Sequence, residues 1–534
     1  MADSNPLLSE INSAAESEPQ VLHHKHPPSL DSRIELFIGD FGWAQFLQAF
    51  LVSFSWFFDA QQTFITVFTD AQPTWHCTQL NDPHNSCNSA SNVCQLPQNS
   101  WAWDWPRHTS TISEWALQCS PSLVQGMPAS AFFMGCLIGG LALATLADTS
   151  LGRKNMLFLT CLFMSLSTFL TAFSPNIWIY SILRFITGFG RATIGTSALV
   201  LSTELVGRRW RGQVGVIGYF CFTLGFLSLP AIAYTQRAHS WRTLYFCTSI
   251  PTFLYCIMVR FLVHESPRWL FVRGRKEEAI ATLKHIAPIN GISTKTPLTS
   301  SFFSNLSFEQ ETRNVDLYSA INVLAKRRWA FQRLSAVMAI GFGVGMVYYG
   351  MPLALGSLDF NLYLSVTFNG LSELPASLIT LVFIAEMNRK TSLLVFTSLS
   401  GVFSIMSVLK GTHPIWTTLQ IVFELVSFFS ACSALNVLLI FTVELFPTCV
   451  RNSAVSMVRQ AVVLGGVFSP MLAAAGRVNG GFLSYGVFGV VVGVFGLFVV
   501  CLQETRGRGI CDTMDEEEYK QRDSCLYNAV AGDV

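Results

Sequence analysis

Stretches of about twenty apolar residues recur along this chain, the length an α-helix needs to cross the hydrocarbon core of a bilayer. They fall near residues 44–68, 125–147, 155–173, 177–202, 213–235 and 243–263. After a hydrophilic interval they resume near 333–353, 360–385, 392–410, 415–442, 453–476 and 481–502. Lipid offers no hydrogen bonds to a backbone, so such segments must close their own bonds as helices. The pattern therefore predicts an all-α membrane protein of twelve transmembrane helices. Composition agrees, since only 13% of residues are charged, against roughly 25% in ordinary soluble domains. A formal net charge of +1 removes the electrostatic case for a nucleic-acid partner.

Basic residues orient the spans. The loops on one side carry Arg153 and Lys154, Arg208, Arg209 and Arg211, Arg389 and Lys390, and Arg451, whereas the other side holds scattered cations such as Lys410 and Arg477. Five segments follow: a cytoplasmic tail over 1–42, expected to be disordered; six spans over 43–263, with an exoplasmic loop at 69–124; a cytoplasmic central loop at 264–332; six more spans over 333–503; and an acidic cytoplasmic tail at 504–534. The opening from Met1 to Asp31 is polar and lacks the pattern of a cleavable signal peptide, so the first span doubles as the targeting signal.

The two sets of spans repeat one another. Glu204 and Arg211 recur as Glu444 and Arg451, Glu265-Ser266 as Glu504-Thr505, and Ala147-Asp148…Gly152-Arg153-Lys154 as Ala385-Glu386…Arg389-Lys390, all displaced by about 240 residues. Landmarks at one spacing, each at a cytoplasmic helix end, imply two pseudo-symmetric six-helix halves with cargo held between them near the midplane.

These residues resemble the motifs of the major facilitator superfamily. Asp148 to Lys154 resembles the loop between its second and third helices, and Arg184-Phe185-Ile186-Thr187-Gly188 its fourth-helix motif. Glu265-Ser266-Pro267-Arg268-Trp269-Leu270 and Gln503-Glu504-Thr505-Arg506-Gly507 are similar to the ends of helices six and twelve. The resemblance implies that Asp148, Gly152, Arg153, Glu204, Arg211, Glu386, Arg389, Glu444 and Arg451 act as charged latches that hold helix ends together in the outward-facing state and release them in the other. Positive-inside anchoring alone would also give basic loops.

Three further features narrow the resemblance to the organic ion transporters: the large loop ending in Glu114-Trp115-Ala116-Leu117-Gln118-Cys119, the stretch Glu444-Leu445-Phe446-Pro447 before helix eleven, and Glu373-Leu374-Pro375 in helix eight. The segment Phe57-Phe58-Asp59-Ala60-Gln61-Gln62-Thr63 is similar to the plant organic cation/carnitine branch. That branch implies a carrier of small organic cations or zwitterions such as carnitine, with a coupling proton or Na+. An organic anion or sugar carrier, or a non-transporting receptor of the same fold, are the alternatives. The position that is acidic in many cation carriers and basic in many anion carriers is here Val463.

An ionisable side chain within a span costs about 2.5–3.5 kcal/mol or more and needs a reason. Glu373 lies mid-span, one turn after Asn369 and just before Pro375, and can attract a cation or carry a proton. The alternative is an internal pair with a cation from another helix. Arg459 lies one turn before Val463 and can receive a carboxylate, neutralise Glu373 or reach the cytoplasmic interface. Quaternary ammonium groups are recognised by aromatic faces; Tyr348, Tyr219 and Phe222 match aromatic positions of the cation carriers, although in an aromatic-rich chain each also suits packing. Asp59 is either an alternative proton site or a residue near the outer interface, and Arg184 and Glu424 either pair across the cavity or each cap their own half structurally.

Cys77, Cys87, Cys94 and Cys119 form an even set in the exoplasmic loop, with three possible pairings. Asp3 to Leu8 fits an acidic dileucine sorting signal toward the vacuole, the plasma membrane being the alternative, and Asn305-Leu306-Ser307 is a sequon on the cytoplasmic side. Ser202 to Arg209 lacks the Gly and Lys of a phosphate cradle, which excludes ATP by that route. No nucleophile motif or metal-ligand spacing occurs, and His23-His24-Lys25-His26 reads as a solvated cluster; an enzyme and a cofactor are not expected.

Overall fold

The computed structural model describes residues 41–78, 87, 93–97, 99–143, 151–289, 317–358, 360–383, 386–409, 411, 415–478, 482–507 and 511–519. Asp148, the sorting signal, the His cluster and the sequon lie outside the described residues, as do most of the 1–42 tail and the end of the 504–534 tail.

The expected first span is built from three consecutive helices, α1 (Trp43–Ser53), α2 (Ser55–Phe64) and α3 (Thr66–Thr69). After it, β1 (Trp75–Cys77) pairs antiparallel with β2 (Trp101–Trp103), aligning Trp75 with Trp103 and Cys77 with Trp101. Disulfides Cys77–Cys87 and Cys94–Cys119 select one of the three pairings left open by sequence. A short turn, α4 (Thr111–Glu114), leads into α5 (Ser122–Ala142) and α6 (Arg153–Thr171). The expected fourth span splits into α7 (Ile177–Arg191) and α8 (Ile194–Glu204), because Thr193 leaves helical geometry at φ −111°. The helices α9 (Arg211–Thr235) and α10 (Trp241–Leu262) complete the first set.

The hydrophilic interval carries α11 (Pro267–Val272), α12 (Lys276–Ile289) and α13 (Leu317–Lys326). The second set is α14 (Arg328–Ala354), α15 (Leu362–Phe383), α16 (Arg389–Met406), α17 (Ile415–Leu445), α18 (Arg451–Val478) and α19 (Phe482–Gly496). Helix α14 thus begins ahead of the apolar boundary expected at 333, and α15 runs unbroken through Pro375. Among the described residues, eight helices are long and apolar enough to cross a membrane.

Outward-facing side chains show what solvates this bundle. On α6, Leu159, Phe163, Leu166, Phe169 and Leu170 are exposed, as is Phe173 just beyond it, and α10 exposes Ile250, Phe253, Leu254, Ile257, Met258 and Phe261. Continuous apolar faces of that extent mark contact with something other than water. Interior packing follows the membrane rule that small residues let backbones touch. A Cβ on Gly135 of α5 would stand 2.0 Å from the Phe185 carbonyl oxygen of α7, and one on Gly188 of α7 would stand 1.9 Å from the Phe132 carbonyl oxygen of α5.

The end of the bundle near the hairpin is sealed by polar contacts. The Asp70 carboxylate accepts from the hydroxyls of Thr111 (2.9 Å), Tyr180 (2.9 Å) and Thr69 (3.1 Å). Its carbonyl oxygen accepts from Arg477 Nη1 of α18 at 2.9 Å, tying the two sets of helices together. Rings of Phe68 and Tyr363 stack nearby at 5.5 Å.

Backbone contact at Gly188 leaves no room for a branched side chain. We expect Gly188→Val to cost about 1–3 kcal/mol through forced helix separation, read as a lower thermal unfolding midpoint of the detergent-purified protein. An unchanged midpoint would show that α5 and α7 can part freely.

Candidate functional site

A cavity of about 260 Å³ lies among α2, α5, α7, α8, α9, α14, α15, α17 and α18. Its walls include all five proposed cargo contacts: Glu373, Arg459, Tyr348, Tyr219 and Phe222. Gly140, Thr196, Leu439 and Ser456 continue the lining toward the end of the bundle where the charged clusters sit. The opposite end is closed by the Asp70–Arg477 seal.

Glu373 is 9% exposed. Its Oε1 accepts from the Tyr348 hydroxyl at 2.8 Å, while its Oε2 has no hydrogen-bond partner. The internal pair with a cationic side chain is not what the structure shows; a tyrosine hydroxyl occupies that place. The Tyr348 ring lies parallel to Phe428 at 5.9 Å and edge-on to Phe64 at 6.4 Å, which fixes its hydroxyl toward Glu373. Across the cavity, Trp56 of α2 packs against Tyr219 at 5.6 Å and Phe222 at 6.1 Å. Tyr219 is exposed and Phe222 buried, so Tyr219 offers the more open face. Arg459 and Val463 share a wall of α18, one turn apart.

Asp59 does not stand near an outer interface. It is buried in the cavity wall, ion-paired with Arg191 Nε, with Arg191 Nη2 donating to Asp59 Oδ2 at 3.1 Å. Arg191, Trp56 and Tyr349 are cavity residues that sequence reasoning missed. Arg191 lies seven residues beyond Arg184, two helical turns along α7, and that spacing was the available signal. Arg184 and Glu424 do not pair with each other. Arg184 donates to the Gln62 carbonyl at 2.8 Å and lies over the Phe132 ring at 4.3 Å, whereas Glu424 accepts from Asn369 Nδ2 at 3.0 Å.

The charged motifs form two matching clusters. In the first, Arg153 Nε faces Glu204 Oε2 at 3.8 Å, and Glu265 accepts the backbone amides of Arg153 (3.1 Å) and Lys154 (3.1 and 3.2 Å). In the second, Arg389 Nη2 faces Glu444 Oε1 at 3.1 Å, and Glu504 accepts the amides of Arg389 and Lys390 at 3.0 Å. The Thr505 hydroxyl also donates to Glu444 at 2.5 Å. Each acid thus satisfies the otherwise unpaired amides at a helix N-terminus, where negative charge is favoured. Gly152 precedes that terminus at φ +83°, and a Cβ there would meet Glu265 Oε2 at 2.4 Å. Arg211 opens α9, Glu386 is exposed, and Arg451 donates to the Phe446 carbonyl (3.4 Å) and the Thr448 hydroxyl (3.1 Å).

Burial pushes the Glu265 carboxyl above the ordinary range, against the opposing pull of the Ser266, Lys154 and Arg153 amides. Desolvation acts on Glu504 too, but the amides of Arg506, Lys390, Arg389 and Thr505 together outweigh it and hold Glu504 below the ordinary range. On acidification Glu265 is therefore neutralised first. The stability that Glu504 contributes is present above its unfolded value and is lost only as pH falls through the depressed folded value. Infrared titration checks this: Glu265→Gln should remove a carboxylate that titrates above a free glutamate, and Glu504→Gln one that titrates below. The reverse order would contradict the assignment.

Comparison with known proteins places these features in a family. The profile described as "Sugar (and other) transporter" matches residues 62–514. Organic cation/carnitine transporter 3 of Arabidopsis thaliana is 61% identical over 526 residues, covering 97% of this chain and 98% of that protein. Organic cation/carnitine transporter 2 of the same plant is 58% identical over 540 residues, covering 98% and 99%. Among solved structures, the partially occluded, inward-open xylose transporter XylE from E. coli superposes with a TM-score of 0.59 at 16% identity, covering 89% of this chain and 100% of that one.

Proposed function

Because the chain belongs to the organic cation/carnitine transporter family of the major facilitator superfamily, we propose that it carries small organic cations or zwitterions such as carnitine across a membrane by alternating access. The arrangement we propose is twelve spans in two six-helix halves, 43–263 and 333–503, with the central interval and both tails on the cytoplasmic side. The cavity then opens toward the cytoplasm, and the Asp70–Arg477 tie closes the other end.

One observation carries the reading: Glu373 is a buried carboxylate at the cavity wall, held by one tyrosine hydroxyl and otherwise open. An acid left without a cationic side chain in a low-dielectric site attracts a mobile cation. Tyr348, Tyr219 and Phe222 add aromatic faces, each worth about 0.5–2 kcal/mol toward a quaternary ammonium group. For a zwitterion, Arg459 supplies the second point by receiving the carboxylate. The Arg153–Glu204 and Arg389–Glu444 clusters serve as latches at the cytoplasmic helix ends.

Uptake of labelled carnitine, tetraethylammonium and a dicarboxylate into proteoliposomes, with and without a proton gradient, tests the cargo class. Entry of the dicarboxylate alone would refute the cation reading. Glu373→Gln should abolish uptake of both cationic compounds. Arg459→Ala should reduce carnitine uptake at least tenfold while sparing tetraethylammonium, a difference of about 1.4 kcal/mol. Equal loss of both would sink the two-point idea.

A further inference from the structure

Glu424 lies in α17 with no exposed surface, behind the cavity wall, and among the described residues no Lys or Arg pairs with it. Its Oε1 accepts from Asn369 Nδ2 at 3.0 Å. Its Oε2 and the Asn369 Oδ1 are both buried and both without a hydrogen-bond partner. Two orphaned acceptors on side chains already joined by one hydrogen bond form an incomplete pair. An amide offers one donor and one acceptor to a facing group, and a carboxyl matches both only when it carries a proton. A single proton on Glu424 Oε2 would turn that atom into a donor, the complement that the unpartnered acceptor of Asn369 lacks. It also removes a buried, unpaired negative charge, the costliest state such a group can take.

We propose that Glu424 is a proton-binding site and that its proton is exchanged for the organic cation held at Glu373. This rests on the cargo reading above. Asn369 and Glu373 lie one turn apart on α15, so the amide that grips Glu424 is a neighbour of the cargo acid. The other titratable groups facing this region are Tyr348 of α14, Cys432 of α17 itself and Tyr485 of α19, all neutral in their ordinary forms. Arg459 of α18 lines the same cavity, and the Arg389–Glu444 pair sits at the cytoplasmic ends of α16 and α17. Asp59 of α2 and Arg191 of α7, paired with each other, line that cavity as well.

The exchange follows from like-charge ligands sharing one dry compartment. With the cavity empty, two ionised carboxylates on adjacent helices repel, and the proton stays on Glu424. A cation at Glu373 offsets one of those charges, so the proton can leave Oε2 for solvent while the bonding electron pair stays on the carboxylate. Linkage requires the converse: a proton on Glu424 weakens cation binding by the same factor.

Purified full-length protein in weakly buffered detergent, mixed with tetraethylammonium and a pH-sensitive dye, tests this. About one proton released per cation bound is expected from the wild type. Glu424→Gln should still bind tetraethylammonium while its release falls to less than a tenth. Undiminished release in Glu424→Gln, with the proton then coming from Glu373, overturns the proposal. In the wild type alone, apparent affinity should strengthen as pH rises and stay unchanged when Na+ replaces K+. A flat pH profile, or a requirement for Na+, overturns it as well. An infrared carbonyl band of a protonated acid, missing in Glu424→Gln, is expected without any cargo. If that band is present but tetraethylammonium does not bind, the cargo reading fails and the proton site stands; if the band is absent, the proton site fails whatever the cargo.

Discussion

Removing charge from water is the constraint on which this structure turns. Much of the bundle interior is shielded from solvent, and an ion buried there must find compensation or neutralise. Each buried ionisable group here has a distinct answer. Asp59 takes Arg191, Arg184 takes a carbonyl and an aromatic face, and Asp70 takes three hydroxyls. Glu373 and Glu424 each receive one neutral donor and keep their second oxygen buried without a partner. That contrast, more than the shape of the cavity, separates groups that hold the bundle together from groups left to act on something that comes and goes.

The repeat gives this contrast a direction. In the N-terminal set the acid facing the cavity is balanced by an arginine, whereas in the C-terminal set both acids remain uncompensated. The two sets share their charged clusters at the helix ends but not the electrostatics of their middles. The same cavity is thus walled on one side by an acid closed into an ion pair, and on the other by Glu373, held by a tyrosine hydroxyl, together with Arg459. The aromatic rings divide likewise, with Trp56, Tyr219 and Phe222 on one side and Tyr348 on the other.

Sequence exposes what depends on period and spacing. Apolar runs located most of the helices, and the recurrence of Glu265 as Glu504 marked two helix ends, though not that each acid caps the N-terminus of another helix. Glu373 stood out because a carboxylate in an apolar run is costly wherever it points. What sequence could not reach was partnership across distant segments. Asp59 and Arg191 are 132 residues apart, and nothing local says that they meet. The interruption at Thr193 falls in Gly190-Arg191-Ala192-Thr193-Ile194-Gly195, a polar, glycine-flanked stretch that was bridged because apolar runs continue on either side of it. Four cysteines allowed three pairings, and the choice of Cys77–Cys87 with Cys94–Cys119 depends on how the loop folds in space, which spacing does not encode. Trp56 was lost among its aromatic neighbours, since its role depends on which face of α2 meets α9.

Glu265 and Glu504 hold their helices by gripping main-chain amides rather than the side chains of Arg153, Lys154, Arg389 and Lys390. Main-chain amides are the same whatever side chain follows the Cα. The grip therefore survives any substitution but proline at those four basic positions, while the arginine side chains make separate ion pairs, Arg153 with Glu204 and Arg389 with Glu444. Such a division lets the moving parts be retuned by drift without loosening the joints on which they turn. The one position denied that freedom is Gly152, where any Cβ would occupy the space that the glutamate oxygen already fills.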